Sequence, residues 1–200
     1  MKEPTRFTVI GGGNGGRAMA AHLALIGAEV ILYNRTWEHV AFIAQRSGID
    51  LESPEGGPRG FGSLVKVTSD IQEAVKDAEV IMVVVPSSAH ADVARGMAPV
   101  LSDGQIVILH PGRTFGAIEF DMVRREAGSQ ADITVAEAET FIYASRADGP
   151  AAARIFRIKE AVPLAALPAS RTKLVLDQVR HVYPQFIDGI NVLNTSLNNM

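Results

Sequence analysis

The 200-residue sequence predicts an α/β fold, a doubly wound parallel sheet with an antiparallel extension towards the C-terminus. Three observations predict it. Apolar, strand-like runs alternate with helix-like periodic segments as far as about residue 140. Those runs are apolar on both alternating positions, as in parallel strands covered by helices on both faces. Finally, Phe7-Thr8-Val9-Ile10 passes through Gly11-Gly12-Gly13-Asn14-Gly15-Gly16 straight into Arg17-Ala18-Met19-Ala20-Ala21. That is a strand, a turn with G-x-G-x-x-G spacing and a helix, the order a dinucleotide-binding turn requires.

The elements follow in order. A helix from about Gly15 to Ile26 carries Ala18, Ala21, His22 and Leu25 at helical spacing, with Gly27 placed to end it. Glu29 to Tyr33 reads as a second strand, and Thr36 as the cap of a helix to about Arg46 with Trp37, Val40, Ala41 and Ala44 on its inner side. Ser53 to Gly60 is too rich in Gly and Pro for regular structure, and two or three short strands flank it. Asp70 caps a brief helix from Ile71 to Lys76. Glu79 to Val85 is the most apolar strand, and Ser87-Ser88 opens a helix to about Leu101. Gln105 to Leu109 is another central strand, ending in the His110-Pro111-Gly112-Arg113-Thr114 loop. A helix over about Phe115 to Ala127 and a strand at Ile133 to Glu137 complete the alternation.

From Thr140 shorter strands, Phe141–Arg146, Ala152–Ile158 and Ala161–Leu167, suggest hairpins. A helix from Thr172 to Tyr183 follows, opened by Ser170 and stopped by Pro184. Leu193 and Leu197 then lie at helical spacing in the last stretch. Residues 1–188 are expected to form the nucleotide-binding domain, and 189–200 a linker and the start of a further helix.

Composition excludes several classes of function. A net charge of −3 provides no basic footprint for nucleic acid. There are no cysteines, so disulfides, thiolate catalysis and cysteine-bound metals are ruled out. No apolar run reaches membrane-spanning length, and the first strand begins by Arg6, so a cytoplasmic protein is expected. No pair of histidines or carboxylates has metal-ligand spacing, and neither a G-x-S-x-G elbow nor a Walker-type loop is present.

Ligands of such sheets bind beyond the carboxyl ends of the strands. The candidate cofactor residues are therefore Gly11, Gly13, Asn14, Gly15 and Gly16 at the first turn, Asn34, Arg35 and Thr36 after the second strand, Val85, Pro86, Ser87 and His90 after the apolar strand, and Pro111 and Gly112 after the next. Gly13 spares a pyrophosphate the obstruction of a Cβ, and the helix start offers free N–H groups. An acid at the ribose position would favour NAD(H); Asn34 stands there, followed by the cation Arg35 and the hydroxyl Thr36, which favours NADP(H) with NAD(H) as the alternative. Arg35 as a plain solvated residue is the competing reading. His90 could face solvent or the cleft. His110 is a candidate proton donor or an ordinary loop histidine, and Glu137 and Glu139 are more readily surface or supporting residues. No residue is assigned as catalytic.

These segments together resemble the opine dehydrogenases, the octopine/nopaline dehydrogenase family. The carriers are the glycine turn, Pro111-Gly112-Arg113-Thr114, Glu137 with Tyr143-Ala144-Ser145-Arg146, Ala165-Ala166-Leu167-Pro168, Tyr183-Pro184-Gln185 and Asn191 to Asn199. The resemblance implies an NAD(P)-binding Rossmann domain followed by a helical substrate domain. It also implies reductive condensation of an amino acid with a 2-oxo acid, and an acid/base histidine that follows the Ser-Leu-Asn-Asn segment. This chain stops at Met200, short of that histidine, so it is expected to bind cofactor with little turnover on its own. A ketopantoate reductase-like or glycerol-3-phosphate dehydrogenase-like enzyme and a non-catalytic NADP(H)-binding module are the alternatives. Small-molecule substrates are the expected partners, with a homodimer left open.

Overall fold

The computed structural model describes residues 5–197; Asn198 and Asn199 of the C-terminal motif, and the ends 1–4 and 198–200 generally, lie outside the described residues. In chain order β1 (Arg6–Ile10), α1 (Asn14–Leu25), β2 (Glu29–Tyr33), α2 (Ala41–Arg46), β3 (Gly48–Glu52), β4 (Gly60–Ser63), β5 (Lys66–Thr68) and α3 (Ile71–Val75) come first. Next are β6 (Val80–Val83), α4 (His90–Met97), β7 (Ile106–Leu109), α5 (Gly116–Glu126) and β8 (Thr134–Ala138). Last come β9 (Tyr143–Ala147), β10 (Ala152–Ile158), β11 (Val162–Leu167), α6 (Thr172–Val179), β12 (Phe186–Asp188) and α7 (Val192–Leu197). They separate into two units. One runs to Val80 and takes back Tyr143–Ile158; the other comprises Ile81–Ile142 and the chain from Lys159.

The first unit holds two sheets. β5, β2 and β1 lie side by side and parallel. The second sheet has the order β4-β3-β10-β9, in which β10 pairs parallel with β3 and antiparallel with β9. α1 touches strands of both, so it is buried nearly all round, Gly16 and Ala18 through Leu23 included. The burial extends beyond the spacing of Ala18, Ala21, His22 and Leu25, and packing on two sides explains the run of small residues. Gly62 of β4 comes so close that a Cβ there would lie 2.7 Å from the Ala21 Cα.

Two further expectations change in this unit. Among the described residues after Thr140, only β9 and β10 form a hairpin, and it joins β3 instead of extending the parallel sheet. The Thr36-capped helix is a 3-10 turn, Trp37–His39, followed by the shorter α2; Thr36 makes no side-chain cap, Trp37 is 44% exposed, and Val40 and Ile43 point inward. Asp70 does cap α3, its carboxylate accepting from the Gln72 and Glu73 N–H groups.

The second unit is built on one sheet of order β12-β11-β8-β7-β6. β7 and β8 are parallel; β11 runs antiparallel to β8 and parallel to β12. β6 and β7 are completely buried, which accounts for their unbroken apolar sequences. The helix expected from Ser87 to Leu101 is α4 flanked by 3-10 turns, and α6 ends at Val179, short of Tyr183. α7 packs on β8 and β11. Arg124 of α5 is 1% exposed, held by Asp121 at 2.6 Å and by the Ala131 carbonyl at 2.8 Å.

Candidate functional site

In the first unit the glycine turn is fixed by a small set of bonds. Gly11 has φ +115, a conformation that favours glycine, and its N–H donates to the Tyr33 carbonyl at 2.8 Å. The Gly12 N–H donates to Asn34 Oδ1 at 2.9 Å, and Asn34 Nδ2 donates to the Thr36 carbonyl at 2.7 Å. Asn34 is therefore a clip between the turn and the loop after β2. An aspartate could accept from Gly12 and could not donate to Thr36. Gly16 lies against the Gly11 carbonyl with no room for a side chain. Gly13 differs: it is exposed, caps α1 without a side chain, and no described atom lies within 4 Å of where its Cβ would be. No contact with the other described residues requires glycine there.

Asn14 and Gly15 open α1, whose first turn contains no acid. Anions are favoured at such an end. Asn14 Oδ1 accepts from the Ala147 N–H at 2.8 Å, tying the hairpin to the helix start. Arg35 and Thr36 are exposed, and Arg35 has no ion-pair or hydrogen-bond partner among the described residues. Tyr33 senses it: burial pushes the phenol up, and the Arg35 cation draws it part of the way back.

In the second unit Val85 is half-buried, and Pro86 and Ser87 are exposed at the end of β6. His90 is wholly buried at the start of α4, its Nδ1 3.2 Å from where a Gly116 Cβ would stand. The expectation that it faces solvent or a cleft is corrected. Burial lowers its pKa to about 4 against the opposing pull of the Val85 backbone. His110 is likewise fully buried between Phe141 and Phe186, and its Nε2 accepts from the Ile142 N–H at 3.2 Å. Burial, aided by the Lys159 charge, lowers its pKa to about 3. With Nε2 accepting, the ring's own proton sits on Nδ1, and the whole side chain is sealed from solvent, unlike an ordinary loop histidine.

Pro111 is half-buried and Gly112 buried; a Cβ on Gly112 would run into the Glu137 carboxylate. Glu137 itself has no exposure, which corrects its surface reading. Its Oε1 accepts from Ser196 Oγ at 2.6 Å and Thr195 Oγ1 at 2.7 Å, and its Oε2 from the Ala117 N–H at 2.9 Å. Burial raises its pKa, opposed by those three donors. The carboxylate thus joins β8 to the start of α5 and to α7. Sequence reasoning missed this hub because its hydroxyl donors lie 58 and 59 residues away. Replacing Glu137 by Gln is expected to lower the unfolding free energy by about 1–3 kcal/mol, because one amide oxygen replaces two acceptors. Urea denaturation of both proteins checks this, and an unchanged midpoint counts against the hub.

Among the described residues no cluster of three or more His, Cys, Asp or Glu side chains could hold a metal, and no helix is long and apolar enough to cross a membrane. The strand, glycine turn and uncapped helix start define a nucleotide-binding α/β protein of Rossmann type. The chain belongs to the family described as NAD-dependent glycerol-3-phosphate dehydrogenase N-terminus, matched over residues 6–135. It is 40% identical over 200 residues to an opine dehydrogenase of Arthrobacter sp. (strain 1C), covering 100% of this chain and 55% of that protein. Octopine dehydrogenase with NADH and L-arginine has the same fold, with a TM-score of 0.84 at 18% identity over 98% of this chain and 51% of the other. Yersinopine dehydrogenase with bound NADP+ superposes with a TM-score of 0.77 at 16% identity, over 96% and 49%. The chain spans about half the length of these relatives.

Proposed function

We propose that this chain supplies the NADP(H)-binding part of an oxidoreductase of opine dehydrogenase type. The observation that carries it is Gly13: a glycine at a helix start whose missing Cβ relieves no contact with the other described residues. Space of that kind suits a pyrophosphate lying on the N–H groups of Asn14, Gly15 and Gly16. The cofactor supplies a hydride; the proposed reaction condenses an amino acid's amine with a 2-oxo acid, loses water, and reduces the resulting imine to a secondary amine. The likeness to the opine dehydrogenase extends over residues 136–200, beyond the 6–135 of the glycerol-3-phosphate dehydrogenase model, and so favours the opine reading. Val85, Pro86, Ser87, Pro111 and Gly112 are proposed for the nicotinamide side of the cofactor, while the buried His90 is proposed to support them from behind.

Arg35 carries the preference for NADP(H). It is exposed and has no partner among the described residues, and no acid stands at the ribose position to repel a 2′-phosphate. Trp37 lies two residues on and is exposed, so its fluorescence reports binding directly. NADPH and NADH titrations, backed by calorimetry, should show quenching and tighter NADPH binding. Arg35→Ala should cost about 1.5–3 kcal/mol for NADPH, roughly 10–150-fold, and much less for NADH. Equal losses for both cofactors would remove the NADP(H) assignment, and no binding of either would remove the cofactor reading.

A further inference from the structure

Arg17 is a cation at the glycine turn whose guanidinium is turned to backbone carbonyls. Its Nε donates to the Gly12 carbonyl at 2.8 Å, Nη1 to the carbonyls of Gly149 at 2.9 Å and Pro150 at 3.2 Å, and Nη2 to that of His39 at 2.8 Å. Four of its five N–H groups are therefore spent on neutral oxygens, and no carboxylate pairs with it among the described residues. Two consequences follow from that geometry. The Gly12–Gly13 peptide is trans, so holding its C=O towards the guanidinium turns the Gly13 N–H away from Arg17. The charge, meanwhile, stays uncompensated behind the turn, adding to the positive end of α1.

We propose that Arg17 is the positioning residue of the turn, aiming the Gly13 N–H at a dinucleotide phosphate and coupling that aim to the β9–β10 hairpin through Gly149 and Pro150. The Gly13 N–H has no partner among the described residues, as a donor reserved for a ligand requires. Asn34 holds the preceding peptide through the Gly12 N–H, so both peptides flanking Gly12 are fixed, one through its N–H and the other through its C=O. This rests on the cofactor reading above, but not on which nicotinamide cofactor is used, because the phosphate concerned is common to both.

The test is calorimetry of the 200-residue chain with NADPH, NADH and ADP-ribose, run beside thermal melts for Arg17→Met and Arg17→Lys. Arg17→Met should weaken all three ligands by the same factor, about tenfold or more, at a temperature where both proteins are folded. Arg17→Lys, which keeps the charge and part of the donor set, should recover part of the loss and serves as the measurement if the Met variant does not fold. A purely structural role would lower the melting temperature and leave the dissociation constants of the folded protein unchanged. Constants within twofold of wild type in a folded variant overturn the proposal while leaving the cofactor reading intact. Failure of the wild-type chain to bind any of the three overturns the cofactor reading itself.

Discussion

Gly16→Ala should unfold or severely destabilise the protein, by more than about 3 kcal/mol, whereas Gly13→Ala should change its stability by less than about 0.5 kcal/mol and weaken cofactor binding about 10–100-fold. The two glycines are three residues apart in one turn, yet they are glycine for different reasons. A Cβ on Gly16 would overlap the Gly11 carbonyl, and neither partner can move: Gly11 is held to Tyr33, and Gly16 is packed within α1 beneath β1. Relief would require parting helix from strand at the point where the unit's core begins. A Cβ on Gly13 meets no described atom, and its φ of −80° is open to any residue. Its cost falls only on a ligand that needs the space. Thermal melts and calorimetry on the two variants separate these outcomes. A Gly13→Ala protein that is strongly destabilised, or that binds NADPH as tightly as wild type, would show that the space serves some other purpose.

Much of the first unit was legible because its signals are local. β1, the turn and α1 announce themselves within twenty residues, and the bounds of β10 and the Asp70 cap can be read from the residues themselves. What could not be read was pairing. β10 lies beside β3 in parallel, about a hundred residues away, and nothing in Ala152–Ile158 names that partner. The helix after β2 was overextended because Trp37 completes an apolar spacing, yet its ring remains 44% exposed and the chain makes a 3-10 turn instead. The candidate site divides in the same way. The glycines and Arg35 are visible from spacing. The fixed peptides of the turn and the buried carboxylate of Glu137 depend on Arg17, Asn34, Thr195 and Ser196 as partners, and no periodicity links them.

Acid should unfold this protein early, because three histidines are buried in neutral form. His22 donates to or accepts from the Tyr143 hydroxyl at 2.5 Å in the first unit, and burial lowers its pKa to about 4. His90 and His110, in the second unit, are lowered by burial to about 4 and about 3. In the unfolded chain each returns to the ordinary value near 6.5. The unfolded state therefore binds more protons between about pH 6.5 and 4, so stability is complete above 6.5 and falls with pH below it. At pH 5 the loss is about 2 kcal/mol for each histidine and about 6 kcal/mol for the three, much of the stability of a typical domain. Glu137 works in the opposite sense: its pKa is raised by burial, so its protonation in the folded state returns some stability as the pH falls. Ordinary carboxylates are still ionised at pH 5–6.5, so that window belongs to the histidines. Urea denaturation at pH 8, 7, 6 and 5 should show a constant slope with denaturant and a midpoint that drops steeply below pH 6.5. A His90→Met variant should take up about one proton fewer on unfolding, flattening the dependence by about 1.4 kcal/mol per pH unit. A midpoint that does not move between pH 7 and 5 would mean that the folded protein accommodates these imidazoles charged, and that their burial carries no acid sensitivity.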